Sequence, residues 1–332
     1  MAMRLPEYPY GYSQAAELDS RIRLPRPAID PTLAPIIDSY LLPEELDLGF
    51  MRGLSSSDGD DRAPSSYNAG TITDGRPHLK HTEHRVPGPD GNTVIVSAFA
   101  PKEPTSGALP AVYYMHGGGM VSGDRFAGVD ELLHLLAGIE CVVLSVEYRL
   151  APETRAPGPA DDPAAIVVVG VSGGAALAAA TCLMARDRRS PATPVRAQML
   201  LSPMLDDRCR SVSDQQFEYG SPWCGVTNRA AWAHVVGDEA RGTAGVSPYQ
   251  SPARARDLSR LPMTYVDVAE CEVFRDPAVR FATDMWRCGS TCELHVWPGA
   301  FHLFDGMDNP NVALIRAAIA SKQAWLRRIV QQ

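Results

Sequence analysis

Gly170-Val-Ser-Gly-Gly174 satisfies Gly-x-Ser-x-Gly, a pattern whose flanking glycines permit a sharp turn that pushes a serine hydroxyl into the open. The chemistry open to Ser172 is nucleophilic attack on an acyl carbonyl. By itself the pattern is also that of a tight turn, so its surroundings carry the argument. A β-branched run, 166–170, enters it and an alanine-rich stretch, 175–185, leaves it, and these prefer strand and helix respectively. A second motif, His116-Gly-Gly-Gly119, follows the apolar run 111–115. Three consecutive glycines leave backbone N–H groups unobstructed, so this loop can turn donors toward a developing oxyanion and let substrate approach closely.

Both motifs, in this order and each after a strand-like run, resemble the hormone-sensitive-lipase-like branch of the α/β-hydrolases, which includes many microbial carboxylesterases. Further matching strings are His116-Gly-Gly-Gly-Met-Val-Ser-Gly-Asp124, Val146-Glu-Tyr-Arg-Leu-Ala-Pro-Glu153, Glu272-Val-Phe-Arg-Asp276 and Pro298-Gly-Ala-Phe-His302. The resemblance runs from about residue 80 to the C-terminus. It implies an α/β-hydrolase fold with an eight-stranded, mostly parallel sheet, helices on both faces and a helical cap. It also implies an oxyanion hole made by the N–H groups of Gly118, Gly119 and Gly173. Gly173 stands where the family generally has alanine, which should preserve the N–H and loosen the turn.

A serine hydroxyl needs a base, and the hydrolase order Ser, acid, His demands a late histidine. Only His295 and His302 lie in the last quarter of the chain. His295 sits inside an apolar run and reads as a packed or edge residue. His302 falls in a loop after it, where the resemblance places the base. For the acid, the family position is occupied by Glu272. Glutamate can serve, because the role is to orient and stabilise an imidazolium. Asp276, between Arg275 and Pro277, reads as a helix-capping or ion-pair residue. Asp267, inside a strand-like run, ranks lower.

These residues need a scaffold. Short apolar runs at 93–98, 111–115, 141–146, 166–170, 198–201, 263–268 and 293–297 have the length of buried strands. Helical spacing appears at 129–136, 175–186, 277–287 and 311–329, the last with Val312, Ile315, Ile319, Leu326 and Ile329 on one face. Such alternation predicts a mainly parallel sheet covered on both sides. Residues 1–75 are expected to form an N-terminal cap segment. Residues 76–332 should form the catalytic domain, with a cap insertion at about 205–260. One element is short: only 16 residues separate Arg149 from Ile166, and Pro152, Pro157, Pro159 and Pro163 punctuate them. The crossover helix that precedes the nucleophile strand in the family is therefore expected to be missing. An exposed apolar patch beside 166–170, low stability and weak activity should follow.

The 332 residues are 45% hydrophobic and 21% charged, which excludes disordered, collagen-like and coiled-coil chains. A formal charge of −8 without a basic block argues against nucleic acid and anionic membrane surfaces and for a small-molecule partner. Seven cysteines without a Cys-x-x-Cys pair argue against a disulfide framework, and no histidine stands at finger spacing, so no metal or other cofactor is expected. The uncharged stretch 163–185 divides at Val-Ser-Gly-Gly into strand and helix and is not read as a membrane span. The first residues lack a signal-peptide core, so a cytoplasmic protein is expected, with homo-oligomers allowed. The reading that results is a serine hydrolase of short carboxylic esters acting through Ser172, Glu272 and His302. The rivals are an acyltransferase or lactonase using the same three residues, and a ligand-binding protein with an impaired site.

Overall fold

Seven of the eight strands form where short apolar runs stand in the sequence, and all eight join one sheet. The strands are β1 (Leu79–Pro87), β2 (Thr93–Pro101), β3 (Ala111–Met115), β4 (Val142–Val146), β5 (Val167–Val171), β6 (Ala197–Leu201), β7 (Met263–Cys271) and β8 (Cys292–Phe301). The computed structural model describes residues 24–37, 45–53, 68–88, 90–105, 107–156, 167–189, 195–306 and 309–330. The sheet order is β1-β2-β4-β3-β5-β6-β7-β8. β1 and β2 run antiparallel to their neighbours, and every pairing from β4 to β8 is parallel. The run that becomes β1 is largely exposed and polar, which is why no apolar pattern marks it.

The helices are α1 (Ala34–Ile37), α2 (Leu48–Gly53), α3 (Ala69–Asp74), α4 (Val129–Leu135), α5 (Gly173–Arg188), α6 (Val212–Gln216), α7 (Gly225–Val236), α8 (Arg275–Arg287) and α9 (Ala313–Val330). Two apolar layers sandwich the sheet. One joins Tyr113, Met115, Val168, Leu200 and Val266 to α5, α7 and α8. The other joins Val112, Tyr114, Val167, Val169 and Tyr265 to α4 and α9. α5 is buried on nearly all sides, as its alanine-rich sequence allows, since small side chains let the sheet and the 205–260 segment both approach. α9 buries Ile315, Ala318, Trp325, Leu326 and Ile329 along one stripe.

Residues 24–37 reach across to the 205–260 segment: Arg26 donates to the carbonyls of Gln216 and Tyr219. α3 behaves differently, because Ile72 packs in the layer of α4 and Arg76 pairs with Asp130 at 2.5 Å. α3, at the end of the expected 1–75 segment, therefore packs on the α4 face of the sheet.

The exposed patch expected beside the nucleophile strand is absent among its described residues. Val167, Val168 and Val169 are completely buried, since β5 lies between β3 and β6 with helices on both faces. Partial exposure falls instead on Val142 and Leu144 of β4. After β4 the chain docks on the 205–260 segment: Ala156 N–H donates to the Val235 carbonyl at 3.0 Å, and Gln250 donates to the Ala156 carbonyl at 2.9 Å. Residues 157–166, where the crossover helix is expected to be missing, lie outside the described residues. No helix among the described residues is long and apolar enough to cross a membrane.

Candidate active site

Ser172 stands between β5 and α5 with φ of 53° and ψ of −115°, a strained conformation for a residue with a side chain. The turn is held from both sides. Ser172 N–H donates to the Leu201 carbonyl at 2.8 Å, and the Ser172 carbonyl accepts from Ala175 and Met204, each at 3.1 Å. Gly170 and Gly174 are indispensable in this turn, since a side chain on either would collide with backbone atoms. No described residue hydrogen-bonds the Ser172 hydroxyl, which leaves it free for a reacting partner.

The glycine loop lies directly against this turn. Gly118 and Gly119 have φ of 110° and 63°, and no described residue accepts a hydrogen bond from their N–H groups or from that of Gly173. A Cβ on Gly119 would sit 2.5 Å from the Trp223 ring, so the 205–260 segment presses an indole onto the loop. A Cβ on Gly173 would sit 2.6 Å from Met120 N and 2.9 Å from Gly119 Cα. The glycine at this position, expected to loosen the turn, instead lets the loop pack closer to it. Gly173→Ala, although it restores the residue usual in the family it resembles, should therefore displace the loop. Overpacking of this kind costs about 1–3 kcal/mol, and a shift of about 1 Å in oxyanion donors costs on the order of 10²-fold in kcat. Urea melts and ester turnover of this variant test it, and wild-type values in both would show that the loop yields freely.

His116, first residue of the motif, is fully buried and supports the loop. Its Nδ1 lies 2.7 Å from the Gly117 carbonyl, and a carbonyl only accepts, so Nδ1 carries the hydrogen. The Tyr148 ring stacks on it with centroids 4.0 Å apart, and the Tyr148 hydroxyl donates to the His116 carbonyl at 2.8 Å. Burial pushes the His116 pKa down to about 4, against the opposing pull of the Gly117 carbonyl. Nε2 is buried and has no partner among the described residues. His116 is thus neutral near pH 7 and cannot act as the proton carrier. Arg52 of α2 adds a brace, donating to the carbonyls of Val121 and Ala151 at 2.9 Å each and pairing with Glu153 at 2.7 Å.

Three late carboxylates compete for the acid role, and the fold separates them. Glu272 is completely buried, and its Oε2 lies 2.5 Å from His302 Nδ1. Its Oε1 accepts from the Ala269 N–H at 2.8 Å. The register shifts beside this contact, where Ala269 to Cys271 of β7 face Trp297 to Phe301 of β8 with two extra residues on β8. The Phe274 ring meets His302 edge-on at 5.2 Å. Asp276 faces elsewhere, accepting from Ser213 N–H at 2.7 Å and from Arg275 Nε at 2.7 Å. Asp267 pairs with Lys322 at 2.9 Å and accepts from Trp297 Nε1 at 3.3 Å. His295 stacks on Trp297 and contacts Glu293 and Ser321, a packed role as expected.

Lys322 was not singled out by its sequence context, yet a signal is present. It occupies the apolar stripe of α9, between Ile315, Ala318, Leu326 and Ile329, where a lysine is out of place. A cavity of about 610 Å³ lies on this side of the sheet, bordered by Gly118, Leu303, Asp305 and Lys322; neither Ser172 nor His302 lines it. Among the described residues no group of three or more metal-ligating side chains converges.

The chain is similar in sequence and structure to known esterases. Esterase LipI of Mycobacterium tuberculosis is 27% identical over 290 residues, covering 81% of this chain and 86% of that protein. An ethyl acetate hydrolase of Pseudomonas putida is 28% identical over 239 residues, covering 65% and 72%. Among solved structures, a bacterial heroin esterase superposes with a TM-score of 0.77 at 28% identity, covering 92% of this chain and 99% of its own. The family model described as the α/β-hydrolase fold matches residues 112–165 and 160–306, two stretches that meet at the short crossover. With most of the sheet, the strained Ser172 turn and the His302–Glu272 pair inside the matched residues, the chain belongs to the α/β-hydrolase fold family.

Proposed function

We propose that this protein is a serine hydrolase of short-chain carboxylic esters. The observation that carries the reading is the buried His302–Glu272 pair, in a fold that also holds Ser172 on a strained turn beside loop N–H groups that no described residue pairs. In this mechanism His302 Nε2 takes the Ser172 proton as Oγ attacks the ester carbonyl. Glu272 holds the Nδ1–H and stabilises the imidazolium that forms. The carbonyl oxygen becomes an oxyanion received by the N–H groups of Gly118, Gly119 and Gly173. His302 then returns the proton to the departing alcohol, and water, activated by the same base, releases the acid from Ser172. Residues 24–37 and the 205–260 segment, which touch each other and of which the latter presses on the loop through Trp223, form the cap. The related esterases, an ethyl acetate hydrolase and acetyl esterases among them, support small acyl groups as substrates.

A series of p-nitrophenyl esters of increasing chain length tests this reading. Acetate and butyrate esters should turn over fastest. Faster turnover of long-chain triglyceride emulsions would refute the short-acyl assignment.

A further inference from the structure

Lys322 is a costly residue where it stands. It is 4% exposed, sits in the apolar stripe of α9, and faces Asp267, itself 3% exposed, with Asp305 beside it. Taking such charges out of water costs several kcal/mol each, and buried ion pairs are commonly no more stabilising than apolar side chains of the same shape. Stability alone does not explain the cluster, but its position does.

Asp305 lies in the short turn Phe304–Gly306 that follows His302. Leu303, between them, has φ of 57°, which is unfavourable for leucine and has to be held from outside. Packing does not close this side of the loop, since Leu303, Asp305 and Gly306 all border the cavity. Lys322 bridges the gap by binding Asp305 and, at 2.9 Å, Asp267 in the middle of β7. Asp267 leads on to the nucleophile, because its carbonyl accepts from Ser202 N–H at 2.9 Å and the preceding Leu201 carbonyl accepts from Ser172 N–H at 2.8 Å.

We propose that Lys322 is a positioning residue that, through Asp305 and Asp267, fixes the His302 loop relative to the Ser172 turn. The inference rests on the hydrolase reading and deepens it. Burial alone would lower the Lys322 pKa, but the two carboxylates outweigh it and keep the ammonium charged. Burial in turn raises the Asp267 pKa, against the pull of Lys322.

The test compares wild type with Lys322→Met and with the neutral triple variant Lys322→Met/Asp267→Asn/Asp305→Asn. Lys322→Met strands two buried carboxylates and is prone to misfold; the triple variant leaves no buried charge and decides the matter. In the triple variant kcat for p-nitrophenyl butyrate, referred to folded enzyme by circular dichroism, should fall tenfold or more, up to about 10² for a displacement of about 1 Å. KM should change little, and the downfield proton resonance of the His302–Glu272 bond should weaken. Wild-type kcat in the folded triple variant, or a loss fully accounted for by the unfolded fraction, overturns the proposal. Failure of wild-type Ser172 to react with a fluorophosphonate would instead refute the hydrolase reading, so the two failures are separable.

Discussion

Ser172→Ala should remove covalent labelling by a fluorophosphonate and lower ester turnover by about 10⁶-fold, the scale seen when a triad nucleophile is deleted. The expectation follows from the turn itself. Its strained φ and the surrounding hydrogen bonds present one hydroxyl, unpaired among the described residues, beside loop N–H groups that also lack acceptors there. Alanine keeps the backbone donors and the His302–Glu272 pair, so residual rate from the oxyanion site alone should remain measurable above the uncatalysed reaction. Labelling followed by peptide mass spectrometry identifies the modified residue. Turnover by the variant at the wild-type rate would eliminate Ser172 as nucleophile.

Glu272→Gln should cost up to about 10⁴ in kcat, by the logic of an acid that sets the histidine tautomer. Glu272 accepts two hydrogens at once, from His302 Nδ1 and from Ala269 N–H. Glutamine has one acceptor oxygen and one donor NH₂, so it cannot satisfy both. If the oxygen stays with Ala269, the NH₂ faces Nδ1 and forces the hydrogen onto Nε2, where a base must be empty. Asp276→Asn is the control. It weakens contacts to Ser213 and Arg275 and should lower stability by about 1 kcal/mol while leaving turnover within a few-fold of wild type. Both variants need comparison at equal folded fraction. A larger kcat loss for Asp276→Asn would reverse the assignment of the acid.

Much of this protein is legible in its sequence, because the signals are local. The valines of 167–169 and the alanines after Ser172 specify strand and helix through their own propensities, and glycines mark the turn between them. The spacing of Ile315, Ile319, Leu326 and Ile329 likewise declares a helix with one buried face. β1 escapes this reading because it is polar and largely exposed, and pairing with β2 alone makes it a strand.

Tertiary structure decided the rest. Glu272 and Asp276 are four residues apart and carry the same carboxyl chemistry, and only the resemblance and the neighbours of Asp276 separated them in the sequence; in the fold Glu272 meets His302, while the contact of α6 with α8 holds Asp276 on Ser213. The fit of the glycine loop against Gly173, the closed cover over β5 despite a short crossover, and the pairing of Lys322 with Asp267 and Asp305 are decided in the same way. Propensity and periodicity act between residues a few positions apart. Contacts between distant segments depend on sheet register and on which side chains dense packing forces together, and these exist only once the whole sheet has assembled.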